Sequence, residues 1–406
     1  MLTVLPPEEV LPLLRRTFPA RPEASRIPLA AALGRVLVRS VTAGEFVPGF
    51  DRSTVDGYAV RAADTFGCSD SLPAVLPLAG EIRMGEEAPA PLPAGAGMAS
   101  PTGGALPEGA DAAVMVEYTE SFGDGTIGIS KSAAPGENVI YKGDDVAPGD
   151  IVLPAGRVLN APDLGALAAL GLTFVEVARR PKVGILSTGD ELVEVSETPG
   201  PGQVRDVNSE LLRALCTEAG AAPVCYGILP DDEEKLSAAL DKAISECDVV
   251  LLSGGSSVGV RDLAVRLLSA RGKLLFHGIA MKPGKPTLCA NCFGTPVFGL
   301  PGHPAAAFFT ARLFVCPLLA HLLGRKTDQQ PVRAVLTENV SANHGRAQYQ
   351  AVSLREENGV LLARPIHAKS GLITALAGAD GWFCIPRDCE GLRESSPIDV
   401  FPIPTV

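Results

Sequence analysis

The sequence predicts a multidomain protein: a central three-layer α/β domain, an inserted small β domain and a C-terminal β barrel-like domain. The chain has 406 residues, too many for one ordinary hydrophobic core. Strand and helix patterns alternate from residue 180 to 326, which predicts strands joined by right-handed helical crossovers. The chain also holds 43 Gly and 35 Pro, a frequency that favours short strands and tight turns outside that segment.

The N-terminal part is predicted to be a helical unit interrupted by the β domain. Residues 7–18 place apolar side chains at helical spacing, and Asn160 is a candidate cap for a second helix ending near Gly171. We expect these two helices to pack together. Residues 1–44 and 140–179 then form a dimerisation domain, with 45–139 inserted as the β domain, 180–326 as the α/β domain and 327–406 as the barrel-like domain.

Composition excludes several classes of protein. The net charge of −11 argues against a nucleic-acid surface, which needs a clustered basic face. The N-terminus has no basic leader followed by an apolar core, and the longest apolar run, 305–323, is interrupted by polar residues, so we expect neither a secretory signal nor a membrane span. Nine scattered cysteines fit a reducing compartment. We therefore expect a cytoplasmic protein.

Two apolar runs of the α/β domain each lead into a glycine loop. Residues 248–253 precede the loop 253–259 (Ser-Gly-Gly-Ser-Ser-Val-Gly), and residues 295–300 precede the loop 299–304 (Gly-Leu-Pro-Gly-His-Pro). The carboxyl ends of such strands meet at one edge of the sheet, where α/β proteins bind ligands. The loop amides and the start of the helix after Pro304 are candidate donors to an anion.

Charged residues converge on the same edge. Carboxylates that follow neighbouring strands repel one another, and a divalent cation such as Mg²⁺ would relieve that repulsion while binding substrate phosphates. Lys282 and Lys285 flank a Pro-Gly turn and could face one anion. Purely structural roles are also open for most of these residues. They are a helix N-cap for Asp231 or Asp232, solvated turn acids for Asp190 and Glu191, a surface lysine for Lys282 and a structural histidine for His303. Asp262 is the remaining acid of this edge.

The ordered set of motifs resembles one family closely. It is similar to the molybdopterin molybdenumtransferases of the MoeA family, which also supplies the E domain of gephyrin. The resemblance implies an elongated four-domain homodimer whose α/β domain is MogA-like. The motifs lie at residues 51–60, 102–111, 187–192, 253–259, 282–286 and 299–304.

The resemblance also implies a reaction and a set of residues. The substrates would be adenylylated molybdopterin and molybdate, AMP would be released, and Mg²⁺ would assist. Further partners would be other proteins of molybdenum cofactor biosynthesis. Positions implied for activity are Asp56, Asp145, Glu191, Asp231, Asp262 and Lys282, with Glu191, Asp231 and Asp262 as Mg²⁺ ligands. Positions implied for substrate binding are Thr102, Ser253, Gly254, Gly255, Ser257, Gly259, Lys285, Pro301, Gly302, His303, Pro304, Arg346 and Ser370. Asp56 and Thr102 would come from the partner copy.

Some positions depart from the family pattern, and two competing functions stay open. His303 stands where the family often has asparagine, and Ala305 and Ala306 stand where it often has Val-Ser. These changes leave a preference for tungstate open. The competing functions are a molybdopterin-binding scaffold without catalysis and an adenylyltransferase. The acids and loop lysines favour an enzyme over a scaffold, and Asp56 with the extra domains favours the transferase.

Overall fold

A six-stranded central sheet organises the molecule. The computed structural model describes residues 4–254, 258–326 and 330–403. Its first four strands pair in parallel, as the alternating pattern predicted, and the last two join the sheet through antiparallel pairings. In spatial order the strands are Ala222–Leu229, Lys182–Thr188, Val249–Gly254, Thr295–Leu300, Leu288–Cys292 and Gly272–His277.

Helices cover both faces of the central sheet. Successive side chains of a strand point to opposite faces, so Val249 and Leu251 join one core while Val250 and Leu252 join the other. This arrangement confirms the predicted three-layer α/β domain. The helices on the first face are Val207–Glu218 and the run that starts at Pro304, and those on the second are Glu233–Glu246 and Val258–Arg271.

The N-terminal helix Pro7–Thr17 belongs to the core of the central domain. Its buried residues Val10 and Leu14 share that core with Phe314 and Leu318. The expected packing on the helix after Asn160 is wrong, because Ala161–Ala169 lies in a separate core beside strand Phe174–Ala178. The long C-terminal helix of the central domain offers the N-terminal helix a larger apolar surface.

The last helix of the central domain runs continuously from Pro304 to Leu322. It comprises Pro304–Thr310, a π-helical turn Ala311–Val315 and Cys316–Leu322. The wider turn directly precedes Pro317, which has no N–H to donate into a regular helix. By length and composition this helix could cross a membrane, but 67% of its most apolar stretch is buried inside the protein, as in a core helix.

The small β sheet is reached through three nested antiparallel strand pairs. Going outward they are Ala24–Pro28 with Phe174–Ala178, Val41–Thr42 with Ile151–Leu153, and Arg52–Ser53 with Val139–Ile140. The chain therefore leaves and returns along the same path, which is the topology of an insertion. The strands of this small β sheet are, in spatial order, Ala112–Met115, Gly57–Val60, Gly97–Ser100, Ala74–Glu81, Thr126–Ile129 and Thr119–Ser121.

The C-terminal strands close into a barrel. Strand Ala347–Glu357 pairs on one side with Val360–Pro365 and on the other with Gly381–Ile385, so the order of the sheet returns to its start. This closure confirms the predicted barrel-like domain. The remaining barrel strands are Val332–Leu336 and Pro397–Pro402, with Val340–Ser341 and Gly391–Leu392 paired beside them. The boundaries placed at 44, 139, 179 and 326 stay a prediction.

The packing of the N-terminal helix can be tested by truncating Leu14, which is fully buried. We expect Leu14→Ala to lower the free energy of unfolding, measured by urea denaturation, by about 3 kcal/mol, because a large apolar side chain leaves a cavity. The exposed Glu9→Ala on the same helix should change it by less than about 0.5 kcal/mol. Equal effects of the two variants would show that this helix is not part of the core.

Candidate functional site

A large cleft lies between the central domain and the barrel. Its volume is about 1110 Å³. Five segments line it: the lysine loop 281–286, the start of the helix after Pro301, the barrel residues 339–341 and 346–351, and the loop 366–376. The cleft brings together six of the predicted site residues, namely Lys282, Lys285, Pro301, His303, Arg346 and Ser370.

The cleft is cationic. Lys282, Lys285, Arg346 and Lys369 line it, and none of its lining residues is Asp or Glu, although the whole chain carries a net charge of −11. Cations of one sign gathered in a concave site raise the local concentration of anions. The cleft is therefore suited to a ligand that carries several negative charges.

Strand pairing holds the lysine loop in place. Met281–Lys282 pairs in parallel with Ala347 and Gln348 of the barrel, so the loop is joined to the second wall of the cleft. On its other side Gly284 packs so closely on the last helix that a Cβ there would lie 2.9 Å from Thr310 Oγ1. Lys282 is thus part of the cleft and not a free surface lysine.

Ser370 connects the barrel to the start of the last helix. Its carbonyl accepts a hydrogen bond from Ala305 N–H at 3.0 Å, and its hydroxyl lies 3.0 Å from His303 Nδ1. The N–H groups of Ala306 and Ala307 donate to His303 O. The expectation that this helix start supplies amides to an anion is therefore wrong. The N–H groups of Ala305, Ala306 and Ala307 already have hydrogen-bond partners, and Pro304 has no N–H group.

Asn208 joins two loops at the carboxyl edge of the central sheet. Its Nδ2 donates to Ser253 Oγ and to Gly302 O, each at 2.9 Å. Asp206 caps the helix Val207–Glu218, so the side chain of Asn208 is not needed for that role. Gly302 lies between the cleft residues Pro301 and His303, so Asn208 anchors a segment of the cleft wall to the strand edge.

Two polar side chains at this edge each leave one buried atom unpaired. Thr188 Oγ1 and Asn208 Oδ1 are both buried and have no hydrogen-bond partner among the residues that the structure describes. Beside them Gly254 has φ +133°, and a Cβ there would lie 2.1 Å from Thr188 O. Unpaired buried acceptors cost free energy, so a bound group that donates to them would be stabilised.

Acids form a second cluster at the same edge. Asp232 caps the helix Glu233–Glu246 through Lys235 N–H, which leaves Asp231 free of that role. Asp231 N–H donates to Asp190 Oδ1 at 3.2 Å, and Glu191 folds back over Gly189. Burial, followed by the charges of Asp190 and Glu191, raises the pKa of Asp231. The three carboxylates therefore lie close enough to repel one another.

The proposed metal ligands are only partly assembled. Asp262 lies in the helix Val258–Arg271, which follows strand Val249–Gly254, and its side chain is exposed. No group of three His, Cys, Asp or Glu with the geometry of a metal site occurs in the part of the chain that the structure describes. The hard oxygen donors and the repulsion at Asp231 nevertheless fit Mg²⁺, which commonly takes one or two carboxylates and completes its shell with phosphates and water.

The remaining predicted residues lie elsewhere or outside the described chain. Asp56 Oδ1 accepts a hydrogen bond from Thr102 N–H at 2.7 Å beside the small β sheet, and Asp145 is exposed near Val47. Gly259 is the second residue of a helix instead of a loop donor. Gly255 and Ser257 lie outside the described residues.

Three family models together match most of the chain. The MoeA N-terminal region (domain I and II) matches residues 5–171, a probable molybdopterin binding domain matches residues 184–321, and the MoeA C-terminal region (domain IV) matches residues 333–403. A Bacillus subtilis protein named molybdopterin molybdenumtransferase is 32% identical over 389 residues, covering 94% of this chain and 90% of that protein. The chain belongs to the MoeA family.

Other members of the MoeA family agree with this assignment. A molybdopterin molybdenumtransferase of Haemophilus influenzae is 37% identical over 335 residues, 82% of this chain and 81% of that protein. A crystal structure of a molybdopterin biosynthesis MoeA protein from Pyrococcus horikoshii matches with a TM-score of 0.87 at 33% identity, covering 98% of this chain and 100% of that one. The fold that the sequence motifs implied is confirmed.

Two residues of this MoeA-family site were missed from the sequence. Lys369 lines the cleft next to Ser370 and was passed over although the motif Lys-Ser-Gly stood out. Asn208 is placed at the site only by its contacts with Ser253 and Gly302. No local pattern signals those contacts, because the partners are 45 and 94 residues away.

The raised pKa of Asp231 predicts a stability effect with a defined pH dependence. At pH 7 its charge is less favourable in the folded state than in the unfolded chain, so Asp231→Asn should raise the free energy of unfolding in the absence of Mg²⁺. The gain should shrink as pH falls through the raised pKa and vanish below the ordinary value of 3.8. Denaturant titrations at several pH values measure this, and a gain that does not depend on pH would contradict the repulsion.

Proposed function

We propose that this protein is a molybdopterin molybdenumtransferase that inserts molybdate into adenylylated molybdopterin and releases AMP. Its membership of the MoeA family and the names of its relatives support the reaction class. The observation that carries the proposal is the cationic cleft free of acids, together with a separate cluster of acids at the carboxyl edge of the central sheet. One surface is suited to an oxoanion and the other to a cation with its phosphates.

The cleft would hold the molybdate. Lys282, Lys285 and Arg346 offset the two negative charges of the oxoanion, and Ser370 offers a neutral donor beside them. Molybdate presents only acceptor oxygens, which matches walls rich in N–H and O–H groups. The cleft is larger than one tetrahedral oxoanion, which leaves room for the dithiolene end of the substrate.

The strand edge would hold the molybdopterin. Ser253, Gly254 and Gly302 lie along it, and the free acceptors of Thr188 and Asn208 can receive N–H donors of the pterin. Because Gly302 lies beside His303 and Pro301 of the cleft, a substrate bound here would extend towards the molybdate. The chain would thereby hold both reactants in contact, which lowers the entropic cost of bringing them together in the reaction.

Glu191, Asp231 and Asp262 would hold Mg²⁺, with Asp190 adding negative charge beside Asp231. When bound, this ion would neutralise charge on the anhydride that joins AMP to molybdopterin. The acids keep the ion at the strand edge, and the lysines keep the oxoanion in the cleft. In this reaction the two thiols of molybdopterin would replace one oxide of molybdate, which leaves with their protons as water, and a water molecule would attack the anhydride so that AMP leaves.

We also propose that the enzyme acts in the cytoplasm as a homodimer, assisted by other proteins of molybdenum cofactor biosynthesis. All nine cysteines are free thiols, which supports a reducing compartment. Asp56, Thr102 and Asp145 are exposed and so are available to complete the site of a second copy. Mixing Asp56→Asn protein with Asp262→Asn protein should then restore part of the activity, and no recovery from exchanged dimers would contradict a shared site.

The reaction is tested with purified protein, adenylylated molybdopterin, Mg²⁺ and either molybdate or tungstate. We expect AMP release that depends on the oxoanion and metal that appears in the product. The preferred oxoanion would decide between a molybdate and a tungstate enzyme. Tight substrate binding with no AMP release would contradict the transferase and indicate a scaffold.

In the same assay Glu191→Gln and Asp262→Asn should lower turnover by at least about 100-fold, because each removes a charge at the phosphate end of the substrate. Both side chains are exposed, so the fold should be retained, as circular dichroism would verify. The matched control is Glu194→Gln, an exposed acid on the same loop. Unchanged turnover in Glu191→Gln or Asp262→Asn would remove that residue from the site.

A further inference from the structure

We infer that His303 acts as a positioning residue that turns the Ser370 hydroxyl into a hydrogen-bond donor for the oxoanion in the cleft. The inference rests on the proposed function of the cleft as the oxoanion site. It assigns His303 a role through Ser370 and not through direct contact with the ligand.

Two contacts fix Ser370 in place. Its backbone carbonyl accepts from Ala305 N–H, and its Oγ lies 3.0 Å from His303 Nδ1. Both His303 and Ser370 line the cleft, at the place where the central domain meets the loop 366–376. The histidine therefore determines where the serine proton points.

The sense of this hydrogen bond decides what the cleft offers to an anion. A serine hydroxyl has a single proton. If that proton is donated to Nδ1, only oxygen lone pairs of Ser370 remain, and these repel an oxoanion. If Nδ1–H donates to Ser370 Oγ, the serine proton is free to be donated to the ligand.

The charge of the cleft selects the second arrangement. Lys282, Lys285, Arg346 and Lys369 favour an anionic occupant, which accepts hydrogen bonds and donates none. With a proton on Nδ1, His303 donates a hydrogen bond to Ser370 Oγ, and the serine donates its own proton to the ligand. Loss of the Nδ1 donor should therefore weaken anion binding even though no charged ligand contact is removed.

The test is molybdate affinity of the purified full-length protein without molybdopterin, measured by isothermal titration calorimetry. His303→Ala should weaken binding about tenfold, the usual effect of losing a hydrogen bond to a charged group. His303→Asn, whose Nδ2–H can still donate to Ser370, should keep affinity within about threefold of the wild type. His344→Ala, an exposed histidine outside the cleft, should have no effect.

A double-mutant cycle separates positioning from general packing. Ser370→Ala should also cost about tenfold, and His303→Ala should add nothing in that background, because both variants remove the same donated proton. The single tryptophan, Trp382, provides an independent fluorescence signal, since its ring lies 5.7 Å from that of Tyr349 on the cleft wall. Should His303→Ala fold poorly in thermal unfolding, His303→Leu removes the same N–H at closer volume.

Three results would overturn the inference. The first is wild-type affinity in His303→Ala, and the second is a loss in the double variant equal to the product of the two single losses. The third is a wild-type protein that does not bind molybdate, which would overturn the oxoanion site as well. Molybdate binding with the predicted coupling but no AMP release would support the inference and contradict only the transferase.

Discussion

The site depends on the parallel pairing of Met281–Lys282 with the barrel strand Ala347–Glu357. This pairing closes the cleft, because it holds the lysine loop of the central domain against the wall that carries Arg346. It also places Lys282 opposite Gln348, two positions beyond Arg346 along the chain, and both cations line the cleft. One anion bound in the cleft would offset both charges. The cleft is therefore arranged for a ligand before the ligand arrives.

The carboxyl edge of the central sheet carries the opposite charge to the cleft. There burial and like charge raise the pKa of Asp231. A bound cation would therefore stabilise the acids, in the same way that a bound anion would stabilise the lysines of the cleft. Asn208 holds the end of strand Val249–Gly254 at that edge against the carbonyl of Gly302, which lies between two residues of the cleft. A substrate with a phosphate end and a dithiolene end matches this arrangement of charge along one surface.

Local sequence patterns predicted most of the architecture and part of the site. The alternation of strands and helices and the cap at Asn160 were sufficient for the α/β domain and the helix Ala161–Ala169. The glycine and lysine loops indicated the cleft residues of the central domain, whereas Arg346 and Ser370 followed only from the family resemblance. Contacts between distant segments were not predictable. The packing of the N-terminal helix, the bridge made by Asn208 and the hydrogen bond from Ala305 to Ser370 each join residues far apart in the chain, and no periodicity records them.

The most direct test of this account is the position of the oxoanion. Crystals soaked in tungstate, examined by anomalous scattering at a tungsten absorption edge, would locate the metal without any substrate. The account predicts a peak in the cleft, between the lysine loop and the wall formed by Arg346 and Ser370. A peak among Asp190, Glu191 and Asp231 instead, or none in the cleft at saturating tungstate, would contradict the division of the site into an anion cleft and a cation edge.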